Sequence, residues 1–250
     1  MHLDNNGKLA IVQLIYYSPA LIASILVTRK QGFSYAAGWH YLIVLSVLRI
    51  VGNILQIVAE SQSTPNLELT ITAATIAGVG LSPLTLATMG ILRRINMRMT
   101  PEFVSLRVFR IMYIFPALAI VLLSARGSKI SSLQASTRKT GLALLKAGAV
   151  LFLVTAVFLC FVSAAFLARK SRIRCEDRKL MSAVVGSLPF LVVRVLYSVF
   201  VEFNYDDQDS IFSPMAGDIW ARVFMEALEE WVIVALYLVA GYASPRVEKS

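Results

Sequence analysis

Apolar residues run along this chain in blocks of about twenty, separated by short polar stretches. A helix of that length crosses the hydrocarbon core of a bilayer. The blocks predict seven spans, at residues 9–27, 39–59, 69–92, 103–123, 142–167, 180–203 and 218–242. Pro19, Pro83 and Pro189 fall inside blocks and predict bends, since proline removes a helical N–H and crowds the carbonyl four residues earlier. Thr100-Pro101-Glu102 reads as a helix start for the fourth span. The polar, basic stretch from Ser124 to Thr140 reads as a loop. The expected architecture is all-α, a single polytopic membrane domain over residues 1–250.

Two spans carry polar positions at helical spacing. In the second, Arg49, Asn53, Gln56 and Glu60 lie four, three and four residues apart and share one face. In the seventh, Asp218, Arg222, Glu226 and Glu229 lie four, four and three apart, with Glu230 beside them. A polar stripe at membrane depth must face other helices or a wet cavity. Glu229 and Glu230 fall near the middle of their span, and Arg49 and Arg194, at about the same depth, are the expected partners. Tyr197, Ser198 and Glu202 extend the polar surface of the sixth span. One outcome is a set of interhelical ion pairs that fixes the packing. The other is a polar pocket, with Glu60, Glu202 and Glu226 near its mouth.

Charge sets the expected orientation. With the N-terminus outside, thirteen lysines and arginines face the cytoplasm and five face the other side. The positive-inside rule then predicts N-out, C-in. The net charge of +9 therefore belongs to membrane-flanking loops, and a nucleic-acid partner is not expected. His2 and His40 are too few and too far apart for a metal site, and no cofactor motif occurs. Cys160 and Cys175 have no metal spacing and are expected to be unpaired thiols.

Three stretches carry a family resemblance: Arg49 to Glu60, Gly80 to Leu86 (Gly-Leu-Ser-Pro-Leu-Thr-Leu) and Ser187 to Ser198. Together with seven spans, they resemble filamentous-fungal integral membrane proteins of a family known only as a domain of unknown function. In size and span number the chain is more distantly similar to small membrane-bound terpene cyclases of meroterpenoid pathways. That resemblance implies protonation of a prenylated, lipophilic substrate by a membrane carboxylic acid. Glu60 would be the donor, with Glu226 or Glu229 as second acid or cation stabiliser. Arg49, Asn53, Gln56, Arg194, Tyr197 and Arg222 would orient the groups, and Tyr16, Tyr17, Tyr197 and Trp231 would offer ring faces to a cation. The alternative is a non-catalytic transporter or receptor-like protein that handles a lipid or metabolite. Either protein would sit in the endoplasmic reticulum or plasma membrane.

Overall fold

A computed structural model describes residues 5–32, 37–61, 67–99, 103–130, 135–205, 211 and 218–245. Among them the chain is helical, with no strand. The helices are α1 (Asn5–Gln31), α2 (Ala37–Ser61), α3 (Leu67–Val79), α4 (Leu81–Met97), α5 (Leu106–Ile130), α6 (Ala135–Ala168) and α7 (Arg178–Phe203). A last rod follows, made of α8 (Ile219–Arg222), a π-helical turn (Val223–Ala227) and α9 (Leu228–Ala243). Five helices are long and apolar enough to cross a membrane: α1, α2, α5, α6 and α7.

The bundle is apolar outside and partly polar inside. Ile15, Ile22, Val121, Val157, Phe161 and Val239 are exposed, while Gln13, Ser46, Thr88, Ser187 and Arg194 are buried. Water does not reward that arrangement; lipid does, because it cannot hydrogen-bond to side chains. The protein is thus a multi-pass membrane protein. α4 lies at its centre, buried on nearly every side, against α2, α5, α6 and α7.

Three expectations are revised. The third predicted span is two helices that part at Gly80. Pro83 explains the position: its ring crowds the carbonyl four residues back, which is that of Val79, the last residue of α3. The stretch 124–140 is largely helix, because α5 continues to Ile130 and α6 begins at Ala135. Polar residues there carry both helices beyond the apolar layer, where lysine and arginine are good helix formers. The helix of the fourth predicted span, α5, starts at Leu106, after Phe103–Ser105; Thr100-Pro101-Glu102 lies outside the described residues. Pro19 and Pro189, in contrast, are accommodated within unbroken α1 and α7. The acidic positions 206, 207 and 209 also lie outside the described residues.

Hydrogen bonds tie the helices together at the centre and at one end. Tyr237 Oη bonds Thr88 Oγ1 of α4 and Ser187 Oγ of α7, both at 2.7 Å. Trp39 Nε1 donates to the Tyr237 carbonyl at 3.1 Å. Arg94 donates to Gln31 at 2.9 Å, Gln31 donates to the Gly241 carbonyl at 2.8 Å, and Lys30 donates to the Tyr242 carbonyl. Arg98 pairs with Glu176 and Asp177 ahead of α7. Burial pushes the Asp177 carboxyl up, and Arg98 and Arg94 pull it back down. The basic ends of α1 and α4 and the start of α7 therefore meet at one end of the bundle. Cys160 and Cys175 are both free.

α2 and α4 approach closely because Gly38 has no side chain. A Cβ there would lie 2.6 Å from Ile91 Cγ1 and 3.0 Å from the Ala87 carbonyl oxygen. Gly186 on α7 has more room, with its nearest atom at 3.9 Å. Gly38→Ala should therefore destabilise by about 1–3 kcal/mol through overpacking. Gly186→Ala should be neutral or stabilising by up to about 1 kcal/mol, as alanine favours helix. Thermal unfolding of the two variants in one detergent checks the contrast.

Candidate functional site

The last rod carries the acids of the site because its helix is widened. A π turn takes more residues per turn than an α turn, so residues four apart across it stay nearly aligned. Arg222, Glu226 and Glu230 are four apart, and the π turn Val223–Ala227 holds Glu226 and lies between Arg222 and Glu230. Asp218 lies outside this alignment and caps α8, accepting from the Trp220 N–H at 3.0 Å.

Glu230 is fully buried and receives three donors. Arg49 Nε donates to Oε1 at 2.7 Å, and Arg49 Nη2 pairs with Oε2. Tyr17 Oη donates to Oε1 at 2.5 Å. Arg194 Nε lies 3.7 Å from Oε2. Glu226 Oε1 accepts from Arg49 Nη2 and Arg194 Nη2, each at 3.2 Å. Its other oxygen lies 3.5 Å from Arg222 Nε. Three guanidiniums and two carboxylates thus lock α2 and α7 to the last rod, and Tyr17 adds α1. Arg49 holds Glu230 in a two-point fork, which fixes orientation as well as distance.

A narrow crevice opens beside the cluster, lined by Asn6, Gln13, Arg49, Asn53, Gln56 and Arg222 and by apolar residues of α1, α2 and α3. Its free space is about 20 Å³, room for a single water. Asn53 Nδ2 is buried with no hydrogen-bond partner. No carboxylate lines the crevice among the described residues.

The sequence-predicted site residues thus divide. Arg49, Arg194, Arg222 and Glu226 come together in the ion cluster. Arg49, Asn53, Gln56 and Arg222 share the crevice. Tyr197 is buried on α7, within electrostatic reach of Glu226 and Arg194. Glu60 stands apart, eleven residues or about 16 Å of helix rise beyond Arg49. It is half-buried; Gln56 Nε2 donates to its Oε1 at 2.7 Å, while Oε2 has no partner. Glu229 is also outside the cluster, half-buried, with Oε2 unpartnered. The sequence offers Glu229 and Glu230 alike as partners of the arginines but points to Glu229 as the site acid, because both spacings suit a regular helix; the structure puts Glu230 in the cluster. Repeated spacing of four from Arg222 was the available signal. Of the aromatics expected to face a cation, Tyr17 is committed to Glu230. Tyr16 stacks on Trp231 with centroids 5.1 Å apart and donates to its carbonyl at 2.7 Å. Among the described residues no group of His, Cys, Asp and Glu side chains is arranged to hold a metal ion.

A family model described as a domain of unknown function, DUF7702, matches residues 3–247, and the chain belongs to that family. No curated protein and no solved structure matches the chain.

Removing one partner from a buried ion pair strands the other, at about 3–5 kcal/mol. Glu230→Gln should cost an amount of that order. Glu229→Gln should change stability by no more than about 1 kcal/mol. Denaturant or thermal midpoints of the two variants, measured side by side, check this assignment.

Proposed function

We propose that this is a seven-span, N-out/C-in membrane protein of the receptor or carrier kind. It takes the polar head of a small lipophilic molecule into the crevice beside Arg49. In this reading α3 and α4 together make the third span, and α8, the π turn and α9 make the seventh. The observation that carries the proposal is the donor-rich wall of the crevice. The buried Asn53 Nδ2 has no acceptor, and beside it stand the guanidiniums of Arg49, paired with Glu226 and Glu230, and of Arg222, paired with Glu226 and Asn6. A ligand with a carbonyl, carboxylate or hydroxyl oxygen meets that demand, since an unmade buried hydrogen bond costs more than a made one returns.

The crevice as it stands admits a water, so ligand entry must widen it. Arg222 both lines the crevice and pairs with Glu226. A ligand oxygen that engages Arg222 competes with that pair and leaves Glu226 to Arg49 and Arg194. The ligand thereby favours one arrangement of the last rod over another, the differential contact that a population shift requires. The membrane is that of the endoplasmic reticulum or the cell surface.

A second reading rests on Glu60. Its Oε1 is held by Gln56 and its Oε2 is unengaged, the arrangement of an oriented proton donor. This would be acid-catalysed cyclisation or isomerisation of a prenylated substrate in fungal secondary metabolism. Glu226, paired with three arginines, is not a free second acid; Glu229 would have to serve.

One experiment separates the readings. Wild type, Asn53→Leu and Glu60→Gln are purified and offered a panel of prenylated phenols and lipophilic carboxylates. Thermal shift and mass spectrometry of the recovered compound are the readouts. The binding reading predicts a compound recovered unchanged that stabilises wild type. Asn53→Leu should weaken its binding roughly three- to tenfold, the worth of one hydrogen bond, and Glu60→Gln should not. A converted product that disappears in Glu60→Gln would replace binding with catalysis.

A further inference from the structure

A second and larger cavity lies between α2, α4 and α5, with a volume of about 470 Å³. That size suits a small-molecule or lipid-head site. Arg93, Arg110, Tyr41 and Tyr113 line it, and Leu86 and Leu106 close its apolar wall. Arg93 and Tyr113 share the cavity wall, and the Tyr41 and Tyr113 rings stack with centroids 6.4 Å apart. Arg93 comes from the C-terminal part of α4, while Arg110 enters from the first turns of α5. Among the described residues neither arginine forms an ion pair with a carboxylate.

The cavity sits at the basic end of the bundle, where a headgroup layer would lie. Arg94 and Arg98, on the same helix as Arg93, are engaged with Gln31 and with Glu176 and Asp177. Arg93 and Arg110 are different: their charge is presented to a cavity with phenol donors beside it and apolar side chains behind it. The neighbouring faces of α2 and α5 expose Val44, Val47, Ile111 and Ile114 outward, a surface that acyl chains can follow. Arginine pairs are suited to phosphate oxygens, and tyrosine at interface depth adds a hydroxyl donor.

We propose that this cavity binds the headgroup phosphate of one anionic phospholipid, taken from the leaflet at the basic end. The phosphate lies between Arg93 and Arg110, with the Tyr41 and Tyr113 hydroxyls beside it. The acyl chains run over the α2 and α5 surfaces. Zwitterionic lipid is disfavoured because its ammonium or choline group would bring a third positive charge to the two guanidiniums.

The test uses full-length protein in mixed micelles containing phosphatidylglycerol and phosphatidylcholine. Lipid retained by the intact protein is read by native mass spectrometry. Wild type should hold one phosphatidylglycerol per chain with about tenfold preference over phosphatidylcholine. R93Q/R110Q should lose that preference while keeping its thermal midpoint, and R93K/R110K should restore most of it. R107Q/K170Q removes two exposed charges from the same end and should leave the preference unchanged. Preference that survives in R93Q/R110Q, or is lost equally in R107Q/K170Q, would overturn the site. Retention of inorganic phosphate without lipid preference would assign the cavity to a free anion and overturn the lipid proposal.

Discussion

Charges that lipid cannot solvate must satisfy one another, and in this protein that requirement fixes which helix faces look inward. Arg49 and Arg194 are almost fully buried, as are Glu226 and Glu230. Each would cost several kcal/mol alone at that depth. Together they form a network in which every member touches at least two opposite charges. Leucine and valine cannot specify a rotation in a solvent as apolar as they are. The ion network can, because a turned helix would leave a charge facing hydrocarbon.

The backbone is shaped to meet that demand. A regular helix drifts by about 40° for every four residues, so three positions at spacing four would spread around the rod. The π turn removes the drift and delivers Arg222, Glu226 and Glu230 to one side. On α4 the neighbouring constraint is steric: Pro83 ends α3 at Val79, and the absent Gly38 side chain lets α2 and α4 close. Tyr237 and Trp39 then bind the centre with hydrogen bonds that need no charge. The open space lies at the edges of this scaffold, in the crevice beside Arg49 and in the arginine-lined cavity at the basic end.

Much of the architecture is readable from the chain. Long apolar blocks place α1, α2 and α7 within a few residues, because twenty apolar residues have few other uses. The stripe through Arg49 and Arg222 points inward, as helical spacing requires. What the pattern does not carry is departure from regular geometry. A broken third span and a π turn look like ordinary helix until packing imposes them, and the choice between Glu229 and Glu230 depended on one such departure. Glu60 shows the opposite limit. It lies on the same stripe as Arg49, yet eleven residues of rise separate it from the cluster, since a shared face does not mean a shared depth. Tyr17 shows a third: no spacing within α1 announces a partner on α9.

The central claim is that Arg49 and Glu230 stabilise the bundle as a pair. A double-mutant cycle with Arg49→Met and Glu230→Met, followed by reversible unfolding in mixed micelles, tests it most directly. The account predicts that each single change costs about 3–5 kcal/mol and that the double change costs far less than their sum, with a coupling of at least about 2 kcal/mol. Additive losses, within about 0.5 kcal/mol, would mean that the two side chains do not depend on each other and would contradict it.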